Sequence, residues 1–197
     1  MPKDLHILRP GPRDEQALVQ GLRTGDSAAF HALHARFVGR VLGVARQILR
    51  SEVEAEDATQ EVFVRVFRSV HRFRGESSLA TWIHTITVNC CLTLKKRGSR
   101  LPVDTLEDET TREPIAESLP AEDKVLASQV LELLRLLPDE KRIPFYLHHV
   151  EGLSAKEVAE VVGTTREAAL KRLQRTKSEL FRLWQEREAL GRKERAR

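Results

Sequence analysis

The stretch from Phe73 to Asn89, FRGESSLATWIHTITVN, gathers the residue types that handle an unstacked nucleic-acid base. Phe73, Arg74, Gly75, Glu76, Ser77 and Ser78 form a short loop broken by glycine, and it runs into a helix that opens with Thr81 and Trp82. A base turned out of its duplex needs stacking partners, short hydrogen-bonding groups and backbone that yields. The plain alternative makes Trp82, Ile83 and Ile86 core and Phe73 a plug at a helix end. Ile83 and Ile86 fit that alternative, and Trp82 fits either. Lys95, Lys96, Arg97 and Arg100 close the helix, where cations complement the helix dipole or grip phosphates.

A second constellation lies at Leu153–Lys177. A short helix, a turn at Gly163 and a longer basic helix form a helix-turn-helix pattern. Thr164, Thr165, Arg166 and Glu167 occupy the start of the longer helix, where side chains reach base edges in a major groove. Lys171, Arg172, Arg175 and Lys177 follow, while Ala169, Leu173 and Leu180 hold the helix to its domain. Agreement of caps, turn and charge favours DNA binding over a bundle with a basic surface.

A third constellation is acidic. Glu54, Glu56, Asp57, Gln60 and Glu61 point outward from one helix. Carboxylates repel DNA phosphates, so this face suits a protein with basic groups. Favourable charge at a helix N-terminus accounts for Glu54 and Glu56 but less well for Glu61. Composition alone leaves the two readings level.

Other chemistry is poorly served. There is no Gly-rich phosphate loop, no marked Ser/His/Asp set and no HExxH pair. Cys90 and Cys91 are adjacent, which gives neither metal-ligand spacing nor a disulfide framework, so they read as small apolar helix residues. His148 and His149 are helix neighbours whose side chains diverge. No metal or cofactor is expected. No apolar run reaches the roughly 18 residues that span a bilayer, and Met1–Arg13 lacks a secretory pattern. The expectation is a cytoplasmic protein without membrane insertion.

The elements that position these groups are helical throughout. The pattern predicts helices over Asp14–Leu22, Ser27–Leu49, from the box Ser51-x-x-Glu54 to His71, and Leu79–Lys96. The second carries Phe30, Leu33, Phe37, Val41, Val44 and Ile48 as an inward stripe; the third carries Val62, Phe63, Val66, Phe67 and Val70. Further helices are predicted at Val125–Leu137, with Val125, Leu126, Val130, Leu133, Leu134 and Leu137 inward, and at Glu140–Val150 after an Asp139 cap. A box at Ser154-x-x-Glu157 opens the next, and Thr164-x-x-Glu167 caps the last, which runs past Trp184. The fold expectation is all-α: two small helical domains joined by a flexible linker, the C-terminal one a helix-turn-helix. Residues 1–13 form a tail, 14–100 the first domain, 101–122 the linker, 123–184 the second domain and 185–197 a basic tail. Met1–Arg100 holds 16 Lys and Arg against 10 Asp and Glu, Leu101–Asp123 holds 1 against 8, and Lys124–Arg197 holds 16 against 11. Basic bodies flanking an acidic connector suggest polyanion contacts.

Three segments together resemble the bacterial sigma factors of the sigma-70 family, in the extracytoplasmic-function (ECF) group. They are EAEDATQEVFVRVFR (Glu54–Arg68), FRGESSLATWIHTITVN, and VEGLSAKEVAEVVGTTREAALKRLQRTK (Val150–Lys177). The match covers about Asp14–Arg97 and Asp123–Leu180. The resemblance implies that Asp57, Gln60 and Glu61 dock on the β′ clamp helices of core RNA polymerase, which tips the acidic helix towards a protein interface. It implies that Phe73–Thr81, with Arg74, Ser77, Ser78 and Thr81, captures an unstacked −10 base. Trp82, Asn89, Lys95, Lys96 and Arg97 then lie along the upstream edge of that element. Thr165, Arg166, Glu167, Lys171, Arg172 and Arg175 meet the −35 element, the second domain reaches the β flap, and the acidic linker threads the RNA-exit path. An anti-sigma factor is a further implied partner. Leu170, where Lys or Arg is common, Glu167, where a small residue is common, and Pro144 inside its helix depart from the pattern. The tail after Gly191 gains no role. The alternatives are a helix-turn-helix regulator that never binds core polymerase and, more remotely, a helical interaction module without DNA.

Overall fold

The computed structural model describes residues 12–98 and 121–195, so residues 1–11 of the expected N-terminal tail and 101–120 of the expected linker lie outside the described residues, while the expected basic tail from 185 continues α8 as far as Arg195. Among them, eight α-helices follow one another: α1 Pro12–Arg23, α2 Ser27–Leu49, α3 Glu52–Ser69, α4 Leu79–Gly98, α5 Ala121–Arg135, α6 Asp139–His149, α7 Ala155–Val162 and α8 Arg166–Arg195. A 3₁₀ turn, Val70–Arg72, extends α3. Both halves are helical, and the expected fold class stands.

Local chemistry sets the boundaries. Asp26 caps α2 by accepting from the Ala28 N–H at 2.9 Å. Arg50 ends α2 in the left-handed region at φ 62, an unusual conformation for a side-chain-bearing residue. Ser51 caps α3 through the Glu54 N–H. At α7 the predicted capping box is present in both directions: Ser154 Oγ accepts from Glu157 N–H, and Glu157 accepts from Ser154 N–H.

Four expectations are corrected. The α8 cap is Thr165, whose Oγ1 accepts from the Ala168 N–H at 3.2 Å; the Thr164 N–H is engaged by the Ala159 carbonyl and completes the end of α7. Pro138, without a side-chain bond, precedes α6, and Asp139 is its first residue. Phe67 is 49% exposed and Leu126 44%, because each sits at the margin of its apolar stripe. Phe67 keeps one edge-on contact with Phe30. The His148 and His149 rings do not diverge but meet edge-on at 4.7 Å, with His148 Nδ1 at 2.6 Å from the Leu153 carbonyl.

Two apolar clusters form the interior. One joins α1–α4 through Val19, Leu33, Phe37, Val62, Phe63, Leu79 and Ile83. The other joins α2 and α4 to the C-terminal half: Val44, Ile48, Val88 and Cys91 pack with Leu134, Ile143, Tyr146, Leu153 and Leu173. The two halves therefore share a core rather than merely a linker. Gly43 makes the contact possible, since a Cβ there would stand 2.4 Å from Tyr146 Oη. Both cysteines are free and buried. Burial, and then Cys90 beside it, push the Cys91 thiol up to about 12, which keeps it in the unreactive protonated form.

Candidate nucleic-acid and protein interfaces

On α3, Asp57, Gln60 and Glu61 are all exposed. Glu61 accepts from Arg65 Nε at 2.7 Å within the same helix. Val53, 68% exposed, and Val64, 42% exposed, share the uncovered side with these carboxylates. An acidic face with apolar residues on it suits burial against a protein better than contact with solvent. Sequence reasoning missed both valines. Their signal was present: each falls off the inward stripe.

The loop before α4 is fixed at its ends and open in the middle. Phe73 is buried and packs on the half-buried Trp82, ring centroids 5.2 Å apart. Arg74, Gly75 and Glu76 are exposed, and Gly75 supplies the positive φ of 74 that the turn needs. Ser77 is half-buried. Ser78 caps α4, accepting from the Thr81 N–H at 3.1 Å, and its hydroxyl lies 2.8 Å from that of Thr81. Thr81 is completely buried here. Asn89, Lys96 and Arg97 are exposed further along α4. Lys95 instead pairs with Asp139 of α6 at 2.7 Å. Of the expected −10 residues, Arg74, Asn89, Lys96 and Arg97 are thus exposed, while Phe73, Ser78, Thr81 and Lys95 are held in contacts with the rest of the protein.

At the start of α8, Thr165, Arg166, Glu167, Lys171 and Arg175 are exposed and Arg172 is half-buried. Ala169, Leu173 and Leu180 face the core as expected, joined by the fully buried Thr176. The helix presents a row of cations on a rigid, inward-anchored support, which is the arrangement needed to enter a groove.

Comparison with known families gives these surfaces a common frame. Residues 33–101 match Sigma-70 region 2, and residues 127–180 match Sigma-70, region 4. The ECF RNA polymerase sigma-E factor of Haemophilus influenzae is 32% identical over 167 residues, covering 77% of this chain and 87% of that protein. The chain is an ECF sigma factor of the sigma-70 family. The ECF RNA polymerase sigma-E factor of Escherichia coli K12 is 30% identical, covering 77% of this chain and 86% of its own length. The fold agrees with two solved structures. CnrH in complex with the cytosolic domain of CnrY has a TM-score of 0.65 at 20% identity, covering 87% of this chain and 97% of that one. RpoE in complex with the anti-sigma factor NepR from Bartonella quintana has 0.63 at 20%, covering 79% and 96%.

In this sigma factor the two regions meet through a set of polar residues that sequence reasoning did not find. Glu151, just past the end of α6, is buried. Arg40 Nε donates to its Oε2 at 2.6 Å, and Arg40 Nη2 donates to its carbonyl at 3.0 Å. His84 Nε2 stands 3.2 Å from the same Oε2. Burial by itself would raise the Glu151 carboxyl, but His84 and Arg40 outweigh it and hold the carboxyl below its ordinary range. Arg142 is fully buried, donating to the Gln47 carbonyl of α2 at 2.7 Å and pairing with Asp139 at 2.5 Å. Burial, then Arg50 nearby, lower the guanidinium to about 10, so it stays charged at neutral pH. Glu157 divides its carboxylate: Oε2 completes the α7 capping box, and Oε1 accepts from Thr81 at 3.1 Å and Ser78 at 3.3 Å. Region 4 thereby occupies the hydroxyls at the base of the Phe73–Leu79 loop. Such pairs carry no periodicity, so nothing local in the sequence pointed to them.

Among the described residues, no helix is long and apolar enough to cross a membrane.

Proposed function

We propose that this chain binds core RNA polymerase and directs it to a particular class of promoters, acting in the cytoplasm and doing no covalent chemistry. The observation that carries this reading is the coexistence of region 2 and region 4 in one chain with an exposed acidic face beside the −10 loop. A free-standing DNA binder has no use for that face. In this reading residues 14–100 bind polymerase and the −10 element, and residues 123–184 bind the −35 element. Asp57, Gln60 and Glu61 meet the β′ clamp helices, and region 4 meets the β flap. Phe73, Arg74, Ser77, Ser78 and Thr81 form the capture site for a flipped base once Glu157 releases Ser78 and Thr81, and Trp82 lies at the upstream edge of the element. Asn89, Lys95, Lys96 and Arg97 follow the backbone upstream. Thr165, Arg166, Glu167, Lys171, Arg172 and Arg175 read the −35 duplex. Strand opening is driven by binding energy to the captured base, which offsets the unstacking cost of a few kcal/mol. An anti-sigma factor is the expected regulator, supported by the two solved neighbours, whose structures contain CnrY and the anti-sigma factor NepR.

Run-off transcription with purified core polymerase on a pool of promoters tests the reading. Product that appears only when this protein is added supports it. Tight operator binding without core enzyme, together with no transcript, would replace it with a conventional regulator.

The region 4 assignment has its own measurable consequence. Replacing Arg172 and Arg175 with Ala should weaken holoenzyme binding to the promoter and flatten its salt dependence. Each lost phosphate contact takes about 0.9 from the slope of log K against log salt. An unchanged slope would return both arginines to the solvated surface.

A further inference from the structure

Both ends of the Phe73–Leu79 loop are held by one helix, α1. Arg23, in the last turn of α1, donates from Nη2 to the Phe73 carbonyl. Glu15, near its start, accepts from the Leu79 N–H at 2.6 Å. That N–H opens α4, and Ser78, which caps the Thr81 N–H, leaves it to another acceptor. A carboxylate there is also favoured by the helix dipole. Glu15 and Arg23 are a little over two turns apart, about 12 Å along a helix, so α1 spans the loop like a strut.

The strut is itself fixed. Val19 and Leu22, between the two polar contacts, are buried in the same cluster as Val70, Phe73 and Leu79. Gly21 presses α1 against α2, where a Cβ would come within 2.7 Å of Ala29 Cβ. Neither Glu15 nor Arg23 touches region 4 through these bonds, unlike Ser78 and Thr81, which are bound by Glu157. The brace is therefore independent of the Glu157 contact. The matched region 2 begins at residue 33, so α1 lies outside it.

We infer that α1 sets the geometry of the −10 loop, with Glu15 and Arg23 as positioning residues for recognition of the unpaired base. This rests on the base-capture reading of the loop given above. A loop held at both ends presents Arg74 and Ser77 at set places without ordering them anew on each binding event, and pre-organisation of that kind sharpens discrimination.

The test uses the full-length chain assembled with core polymerase on a forked promoter carrying one unpaired −10 base, varied among the four. Glu15→Ala and Arg23→Ala should each lower the preference for the cognate base about tenfold, the scale of one charge-assisted hydrogen bond. Affinity for core enzyme should hold. Glu15→Gln, which keeps an acceptor for Leu79, should restore most of the preference. Ser77→Ala in the loop is the companion variant. If Ser77→Ala reduces the preference and both α1 variants leave it unchanged, the brace is overturned and the loop reading survives. If all three leave it unchanged, both fall. If an α1 variant loses core affinity in step with base preference and Glu15→Gln does not recover it, α1 serves only the fold and the inference is overturned.

Discussion

A chain with Asp57, Gln60 and Glu61 all replaced by Ala should fail to retain core polymerase in a pull-down while melting like the parent protein. The fold should be spared because all three side chains are exposed. The one ion pair they make, Glu61 with Arg65, is a surface contact on one helix, and such pairs contribute about 0.3–0.5 kcal/mol. Binding should suffer because truncating one partner of a charge pair buried and hydrogen-bonded at an interface costs about 2 kcal/mol or more. A loss of roughly a hundredfold or greater in affinity is therefore expected. Replacing Val53 and Val64 with Ser should add to the loss if the apolar part of this face is buried on docking. Retained binding by the triple variant would move the polymerase contact to another surface.

Glu151→Ala should destabilise the free protein more than any other single exchange considered. It removes the partner of Arg40 from a site where the carboxylate side chain is only 5% exposed. Breaking one side of a buried pair costs about 3–5 kcal/mol, or about 10 °C of melting temperature in a chain of this size. Small-angle scattering should show a larger radius as regions 2 and 4 part. Unchanged melting and radius would mean that Glu151 does not join them. The pH dependence follows from the same residue. A carboxyl whose folded pKa is depressed contributes stability that is fully present above its unfolded pKa. That stability is lost as pH falls through the folded value. The melting temperature should thus hold above about pH 5 and fall below it, and Glu151→Gln should fall less steeply.

What was readable in the sequence was whatever repeats with the helix. The α2 stripe from Leu33 to Ile48 is buried as its spacing required. The Ser154–Glu157 box is intact. Leu133, Leu134 and Leu137 face inward. Errors arose at stripe margins, where a turn of 100° per residue places Phe67 and Leu126 between core and solvent. The α8 cap slipped by one residue because both Thr164 and Thr165 are competent caps, and the end of α7 claims the first. The polar joint was invisible for a different reason. Arg40 meets Glu151, Gln47 meets Arg142, and Thr81 meets Glu157 across long stretches of chain. Nothing local in the sequence links such partners. The expected site residues divide along the same line. Arg166, Lys171 and Arg175 stand where helical spacing put them, whereas the engagement of Thr81 and Lys95 depends on the opposite half of the molecule.

Arg142 bears on how freely the halves of such proteins can be exchanged. Its guanidinium is held on one side by Asp139 and the Leu137 carbonyl, within its own domain, and on the other by the Gln47 carbonyl. A chimera that joins this C-terminal half to the first half of a relative keeps the inner partners and inherits the outer one only if the foreign helix offers a carbonyl and a glycine-sized gap in register. Mixed proteins assembled by cutting at the linker should consequently differ in solubility and resting shape even when each half keeps its own promoter preference. The place to adjust them is the α2–α6 seam, not the helices proposed to read DNA.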